Sequence, residues 1–350
     1  MNRNLLRAAV CTLAFAAAIG TRAANAPART MSLALAQKVV DQTIALVESK
    51  GLYPRRQEEY AHAKQDLLAA VDGKTADVDE SDLHARIRAL LATLDADGHS
   101  MLMPATGPGR FSFPMSPRPP VPQFRIVATS HGTVLHWMPP ATTDGTPESQ
   151  SWYVNAVYED AATLPGAGQA CALVVDLSAQ TGGNAWPPFI AMYPLFGDAN
   201  KARWVDRDGK AIPVVNRAGL EKMAARATPG LVNPFARFAT DQLAVLVGDQ
   251  TASAGEMLLV ALMGEARVRT FGRTSYGMST ANATHQLPDG ATLVLTEMRY
   301  ALGDGPVIRG GIPAMQPAAA GETWDASVST AAEWAAAHSP RCAPGHAGTE

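Results

Sequence analysis

Between Met31 and Leu94 the apolar residues fall three or four positions apart: Ala36, Val40, Ile44 and Val47, then Ala63, Leu67 and Val71, then Leu83, Ile87, Leu90 and Leu94. That is the spacing of one face of an α-helix, so three helices are predicted. Gly51 and Gly73 fall where C-terminal caps belong, and Ser81-Asp82 where the third helix would be capped. From Met103 to Gln123, Pro104, Pro108, Pro114, Pro117, Pro119, Pro120 and Pro122 break any regular ladder, which predicts a linker or wrapping loop. Short β-like runs at Phe124–Thr129, Thr133–Met138 and Tyr153–Ala156 then predict a small β-rich insert.

The pattern changes in the second half. Ala172–Leu177, Leu243–Val247, Val268–Phe271 and Leu293–Thr296 are near-continuous apolar runs, with helical stretches at Pro187–Tyr193 and Gly255–Met263 between them. Strands apolar on both faces and separated by helices predict an α/β layer with parallel pairing. Phe196–Asp241 is mixed and reads as a lid or pocket wall. Trp186, Trp204 and Phe235 are candidate wall residues, with core packing as the default for each.

Composition supports a folded chain: 47% of the residues are apolar and 17% charged, and 29 glycines with 25 prolines show no repeating period. Fibrous and disordered classes drop out. At the N-terminus, Arg3 and Arg7 precede the apolar run Ala8–Gly20 and the small-residue site Ala24-Asn25-Ala26, the pattern of a secretory signal cleaved near Ala26. The run is too short to span a bilayer, and no other stretch is long enough, so no stable membrane span is expected. Cleavage removes Arg3, Arg7 and Arg22, taking the net charge from −3 to −6. With no basic cluster interleaved with aromatics, no nucleic-acid partner is expected. Cys171 and Cys342 remain after cleavage and either pair in an oxidising compartment or serve as small apolar residues. Metal-site spacings are absent, and no metal is expected.

The residues best placed for chemistry lie where buried strands end. Leu243–Val247 runs through Gly-Asp-Gln-Thr-Ala into Ser253-Ala-Gly-Glu256 and a helix, which puts Ser253 at a strand-to-helix turn. Small neighbours admit a substrate backbone, and amides opening the helix can donate to an oxyanion. Ser-x-x-Glu is equally a capping box, with Ser253 as N-cap, so both readings stand here. Ala172–Leu177 similarly runs into Ser-Ala-Gln-Thr-Gly182-Gly183-Asn184, whose glycines either present amides to an anion or supply turns. A base is also needed. His99, in Asp-Ala-Asp-Gly-His-Ser100, is the best placed of the eight histidines, although a loop histidine is also ordinary surface.

Together these segments, over roughly residues 33–315, resemble the tail-specific or C-terminal processing serine peptidases, whose wider family includes the tricorn protease core and the interphotoreceptor retinoid-binding protein repeats. The family's strand-then-glycine motif is matched by Asp176-Leu-Ser-Ala-Gln-Thr-Gly-Gly183 and its nucleophile motif by Ser253-Ala-Gly-Glu256. Gly272-Arg-Thr-Ser-Tyr-Gly277 and Leu287-Pro-Asp-Gly290 follow in the family's order. Where the processing branch carries a lysine base, this chain has Met278. The tricorn-like branch uses a histidine in a segment that looks like Asp97-Gly98-His99-Ser100. Too few residues separate Ser100 from Ala172 for an obvious PDZ domain. The carboxylate that orients the histidine in the tricorn-like branch is missing before Gly311-Ile-Pro-Ala314, and Glu297 is the candidate substitute.

The resemblance implies an α/β, crotonase-like core with a helical N-terminal region and the small β-rich insert. The expected division is a signal peptide (1–26), a helical region (27–102), a proline-rich linker (103–123), a peptidase-like catalytic domain (124–340) and a tail (341–350). The implied activity is that of an exported peptidase, periplasmic or secreted, acting on peptide or protein substrates. In it Ser253 is the nucleophile and His99 the base, Ala254 with Gly182 or Gly183 forms the oxyanion hole, and no cofactor is needed. The alternatives are a non-catalytic binding protein that keeps the fold, or a related esterase. Oligomeric state is left open.

Overall fold

A computed structural model describes residues 29–94, 98–105, 123–143 and 146–343. The predicted signal segment, Asp95–Asp97, most of the proline-rich segment and the last seven residues of the tail lie outside the described residues. The three predicted helices form: β1 (Thr30–Met31), α1 (Leu33–Ser49), α2 (Gln57–Leu68), β2 (Val78–Asp79), α3 (Glu80–Leu91) and β3 (Met101–Met103) follow in order, with β1 and β2 a short antiparallel ribbon. Gly51 closes α1 through its N–H to the Leu46 and Val47 carbonyls, as expected. Two caps differ. Asp79, not Ser81-Asp82, opens α3, and its carboxylate accepts from the N–H groups of Ser81 (2.8 Å) and Asp82 (3.0 Å). Gly73 lies in the turn beyond the end of α2 rather than at its cap.

The chain continues through β4 (Gln123–Thr129), β5 (Gly132–Met138), α4 (Pro147–Thr163), β6 (Ala172–Asp176), α5 (Trp186–Ala191), β7 (Ala202–Val205), β8 (Ala211–Pro213) and α6 (Arg217–Ala227). It ends with β9 (Leu243–Val247), α7 (Ala254–Met263), β10 (Val268–Gly272), β11 (Thr280–Gln286), β12 (Thr292–Leu302), β13 (Gln316–Pro317) and α8 (Trp324–His338). The main sheet has the order β13-β10-β9-β6-β5-β4, parallel from β13 to β5 and antiparallel only at β4–β5. The first two strands expected in a separate insert are therefore the edge of this sheet. Tyr153–Ala156 is helical: it lies in α4, which starts at Pro147 with the Thr146 hydroxyl capping Ser149 N–H. α4 buries Tyr153, Val154, Val157, Tyr158 and Ala161, a helical stripe that a four-residue window conceals.

Strands β6 and β9 are buried at every position because both faces are covered. Leu173, Val175, Val245 and Val247 pack in one core with Phe189, Leu258 and Leu262. Ala172, Val174, Ala244 and Leu246 face α8, whose Ala331, Ala332, Ala335 and Ala336 let the helix lie close to the sheet. The alternation of a strand thus divides one apolar run between two cores. Beyond α8, Cys342 forms a disulfide with Cys171 just before β6, so the open question of their pairing is answered.

The run Leu293–Thr296 belongs instead to β12 in a second, wholly antiparallel sheet of order β11-β12-β7-β8, with β3 also paired to β12. Its Leu293 and Leu295 pack with the apolar faces of α1, α2 and α3. His84 on α3 lies 2.7 Å from the Asp289 carboxylate in the β11–β12 turn. Burial raises the Asp289 pKa, but the hydrogen bonds from His84 and the Ala291 N–H outweigh it and leave the net shift downward. No helix among the described residues is long and apolar enough to cross a membrane.

Candidate active site

Because β6 and β9 are parallel neighbours, the loops leaving their C-terminal ends emerge on the same side of the sheet, the usual place for a site in α/β folds. Hydrogen bonds join the two loops: Ala252 N–H donates to the Gln180 carbonyl (3.0 Å), and the Thr251 hydroxyl to the Leu177 carbonyl (2.8 Å). Gly255 permits this contact, since a Cβ there would stand 2.3 Å from the Gln180 carbonyl oxygen. The first turn of α7 therefore sits directly against the glycine-rich loop.

Ser253 ends this turn at φ 51°, ψ −110°, and among the described residues no other non-glycine has positive φ. Such a conformation costs roughly 1–3 kcal/mol and persists only when its surroundings enforce it. Glu256, fully buried, supplies much of that enforcement. Its carboxylate accepts the Ser253 N–H (3.1 Å), the Ser275 hydroxyl (2.6 Å) and the Gly277 N–H (2.8 Å). The Glu256 half of the capping box is thus formed and also ties down the 275–277 loop. The Ser253 hydroxyl points elsewhere as well: its Oγ lies 2.9 Å from His99 Nε2.

His99 reaches this position because the strand after it, β3, pairs with β12. Its carbonyl accepts from the Asn282 side chain (3.0 Å). Next to it, the Ser100 hydroxyl donates to Thr296 Oγ1 (3.1 Å), Thr296 N–H donates back to Ser100 Oγ (3.1 Å), and the Thr296 hydroxyl donates to Asn282 Oδ1 (2.9 Å). The hairpin β11–β12 therefore grips the histidine loop through side chains on both strands, Thr296 buried and Asn282 half-buried. His99 is only 7% exposed, so it is not the solvated surface histidine that sequence alone left open.

The other imidazole nitrogen, Nδ1, lies 2.6 Å from Thr280 Oγ1 at the start of β11. Glu297, the residue expected in that orienting position, is instead 2.6 Å from His285 Nε2, and its carboxylate is engaged there. Thr280 has no sequence signature; the only hint was its place three residues after Gly277, near the family's lysine position. Tyr300, whose phenol burial and then the Glu256 charge push upward, stays a hydroxyl donor and bonds the Thr280 carbonyl (3.2 Å).

Opposite the hydroxyl, Gly182 (φ 120°) packs so closely that a Cβ would stand 3.1 Å from Ser253 Cβ and 3.6 Å from its Oγ. At Gly183 (φ 98°) a Cβ would stand 2.3 Å from the Thr142 carbonyl oxygen, in the segment bridged to this loop. Ala254 opens α7, so its N–H has no intrahelical acceptor. Gly182, Ser253 and His99 thus lie against one another, with Gly183 and Ala254 the next residues along their loops. Asp176, the first residue of the glycine motif, is not among them. It is fully buried, accepting from His136 (2.9 Å), Ser178 N–H (2.9 Å) and the Trp324 indole (3.2 Å). Burial raises its pKa, but hydrogen bonds from His136 and Ser178 and the His136 charge reverse the shift and hold it below the usual carboxylate range. Of the three wall candidates, Phe235 is core, Trp204 packs against the core, and Trp186 is 40% exposed just after the glycine loop.

Residues 153–314 match the family described as "Peptidase family S41". Over 124 residues the chain is 29% identical to the nisin-resistance protein of Lactococcus lactis subsp. lactis, covering 35% of this chain and 38% of that one. Over 69 residues it is 36% identical to the carboxy-terminal processing protease CtpA of Bacillus subtilis (strain 168), covering 20% and 15%. Among solved structures, a lipoprotein from Streptococcus agalactiae superposes with a TM-score of 0.64 at 18% identity, over 89% of this chain and 99% of that one. The photosystem II D1 C-terminal processing protease does so with a TM-score of 0.54 at 13% identity, over 85% and 97%. At these identities the structural likeness is one of fold. The chain spans well under half the length of the two curated relatives.

Proposed function

We propose, for a chain that carries a peptidase family S41 domain, that it is a serine peptidase of the Ser-His type, working through an acyl-enzyme on peptide or protein substrates. The observation that carries this reading is the 2.9 Å approach of Ser253 Oγ to His99 Nε2 at a strained strand-to-helix turn. In the mechanism, His99 Nε2 takes the hydroxyl proton as Ser253 Oγ attacks the substrate carbonyl. The developing oxyanion accepts from Ala254 N–H and from the N–H of Gly182 or Gly183, amides that need no reorganisation when charge appears. His99 then gives its proton to the leaving amine. Water, deprotonated in turn by His99, attacks the ester, and His99 returns that proton to the Ser253 oxygen as the carboxylic product leaves.

The finer assignments belong to the same proposal. The core is assigned as crotonase-like, with helical region 27–102, proline-rich linker 103–123 and catalytic domain 124–340. Export, periplasmic or secreted, is supported by the Cys171–Cys342 disulfide, a bond that persists in oxidising compartments. The test is turnover of a diverse peptide mixture by wild type, Ser253→Ala and His99→Ala. Cleavage by wild type alone is the expected result. Cleavage that survives Ser253→Ala would refute the assignment, and no cleavage by a folded wild type would favour a binding protein.

A further inference from the structure

We infer that Thr280 is a positioning residue that holds the ring orientation of His99 and receives its Nδ1–H, occupying the place for which a carboxylate was expected. The inference rests on the Ser-His reading above. For Ser253 to give its proton to His99 Nε2, that nitrogen must carry a lone pair, so in the neutral imidazole the hydrogen must sit on Nδ1. An Nδ1–H needs an acceptor in line with it. Thr280 Oγ1 lies 2.6 Å away, and both side chains are buried.

The acceptor is held from several directions. Threonine is branched at Cβ and so is stiff at χ1. The Thr280 N–H donates to the Met278 carbonyl (2.9 Å), its carbonyl accepts from the Tyr300 phenol (3.2 Å), and Thr280 pairs in register with Arg299 on β12. The same hairpin holds the His99 carbonyl through Asn282. Ring and backbone of the histidine are thus both referenced to β11, so Ser253 meets a base whose direction is set before substrate arrives. A hydroxyl provides this direction without a net negative charge. That separates the orienting function, which the geometry contains, from the charge that an aspartate or glutamate would add to the imidazolium.

The test combines a spectroscopic signature with a rescue. Wild type carrying 15N-labelled histidine is expected to show His99, assigned by its loss in His99→Ala, as the Nδ1–H tautomer. Thr280→Val, nearly the same shape without an acceptor, is expected to give mixed tautomers. It should also slow labelling by a fluorophosphonate probe roughly 10- to 100-fold, the range for losing one buried hydrogen bond. Thr280→Ser is expected to recover most of the rate. An Nε2–H tautomer in wild type overturns the inference, as does a wild-type labelling rate in folded Thr280→Val, or a Thr280→Ser protein as slow as Thr280→Val. The tautomer is read in wild type, so a valine variant that fails to fold does not block the test. A wild type that shows the Nδ1–H tautomer yet never labels would refute the hydrolase reading while leaving the Thr280 contact in place.

Discussion

Replacing Gly182 by alanine separates the cost of folding this loop from the cost of chemistry beside it. At φ 120° the new side chain occupies backbone territory that L-residues avoid, a cost of roughly 1–2 kcal/mol. Its Cβ would stand 3.1 Å from Ser253 Cβ, so the loops must part by a few tenths of an ångström. At about 2–4 °C per kcal/mol for a domain above 150 residues, Tm should fall by about 2–8 °C. The effect on chemistry is larger, because the methyl lies 3.6 Å from the Ser253 hydroxyl and moves the amide proposed to receive the oxyanion. Loss of one oxyanion donor costs roughly 100- to 1000-fold in rate. The assay is thermal unfolding alongside the second-order rate of fluorophosphonate labelling. A Gly182→Ala protein that melts a few degrees lower but labels within threefold of wild type would refute the placement of the oxyanion hole.

Other outcomes follow from the same geometry. Ser253→Gly relieves the strained φ at the turn and should raise Tm by one or two degrees while abolishing labelling; a lower Tm would show that the turn is not strained. Reduction of the disulfide, or Cys342→Ser, opens a link between residues 171 positions apart, worth at most about 5 kcal/mol by the chain-entropy estimate; urea unfolding with and without reductant measures it. Asp176 and Asp289 both have folded pKa values below normal. Their contribution is full above about pH 4 and lost as pH falls through the folded values. Asp176→Asn should therefore lower stability at pH 7 and flatten its loss below pH 4 in acid titrations of Tm; an unchanged acid slope would contradict the assignment.

Much of the core was legible because burial on two faces leaves a run of apolar residues that few other structures produce: β6, β9 and β10 appear as predicted, with α5 and α7 beside them. The same signal misassigned Leu293–Thr296, since all four residues are buried in β12 although its sheet is antiparallel, and a strand buried on both faces reads alike in either kind of sheet. α8 escaped notice because its buried face is alanine, too small to mark a periodic stripe. Of the proposed site, Ser253 and the two glycines are readable from motifs after β9 and β6, and His99 from the segment before β3. Thr280 is not, because its role depends on how β11 registers with β12 and β3, a non-local fact that no spacing encodes. Glu297 failed for the same reason: its engagement with His285 arises across the hairpin.

The central claim is that Ser253 is a nucleophile activated by His99. Fluorophosphonate labelling of the mature protein, with the modified residue located by peptide mass mapping, tests it without knowledge of the substrate. The adduct should map to Ser253, and both Ser253→Ala and His99→Ala should remain unlabelled. An adduct on another residue, or labelling of His99→Ala at the wild-type rate, would contradict the account.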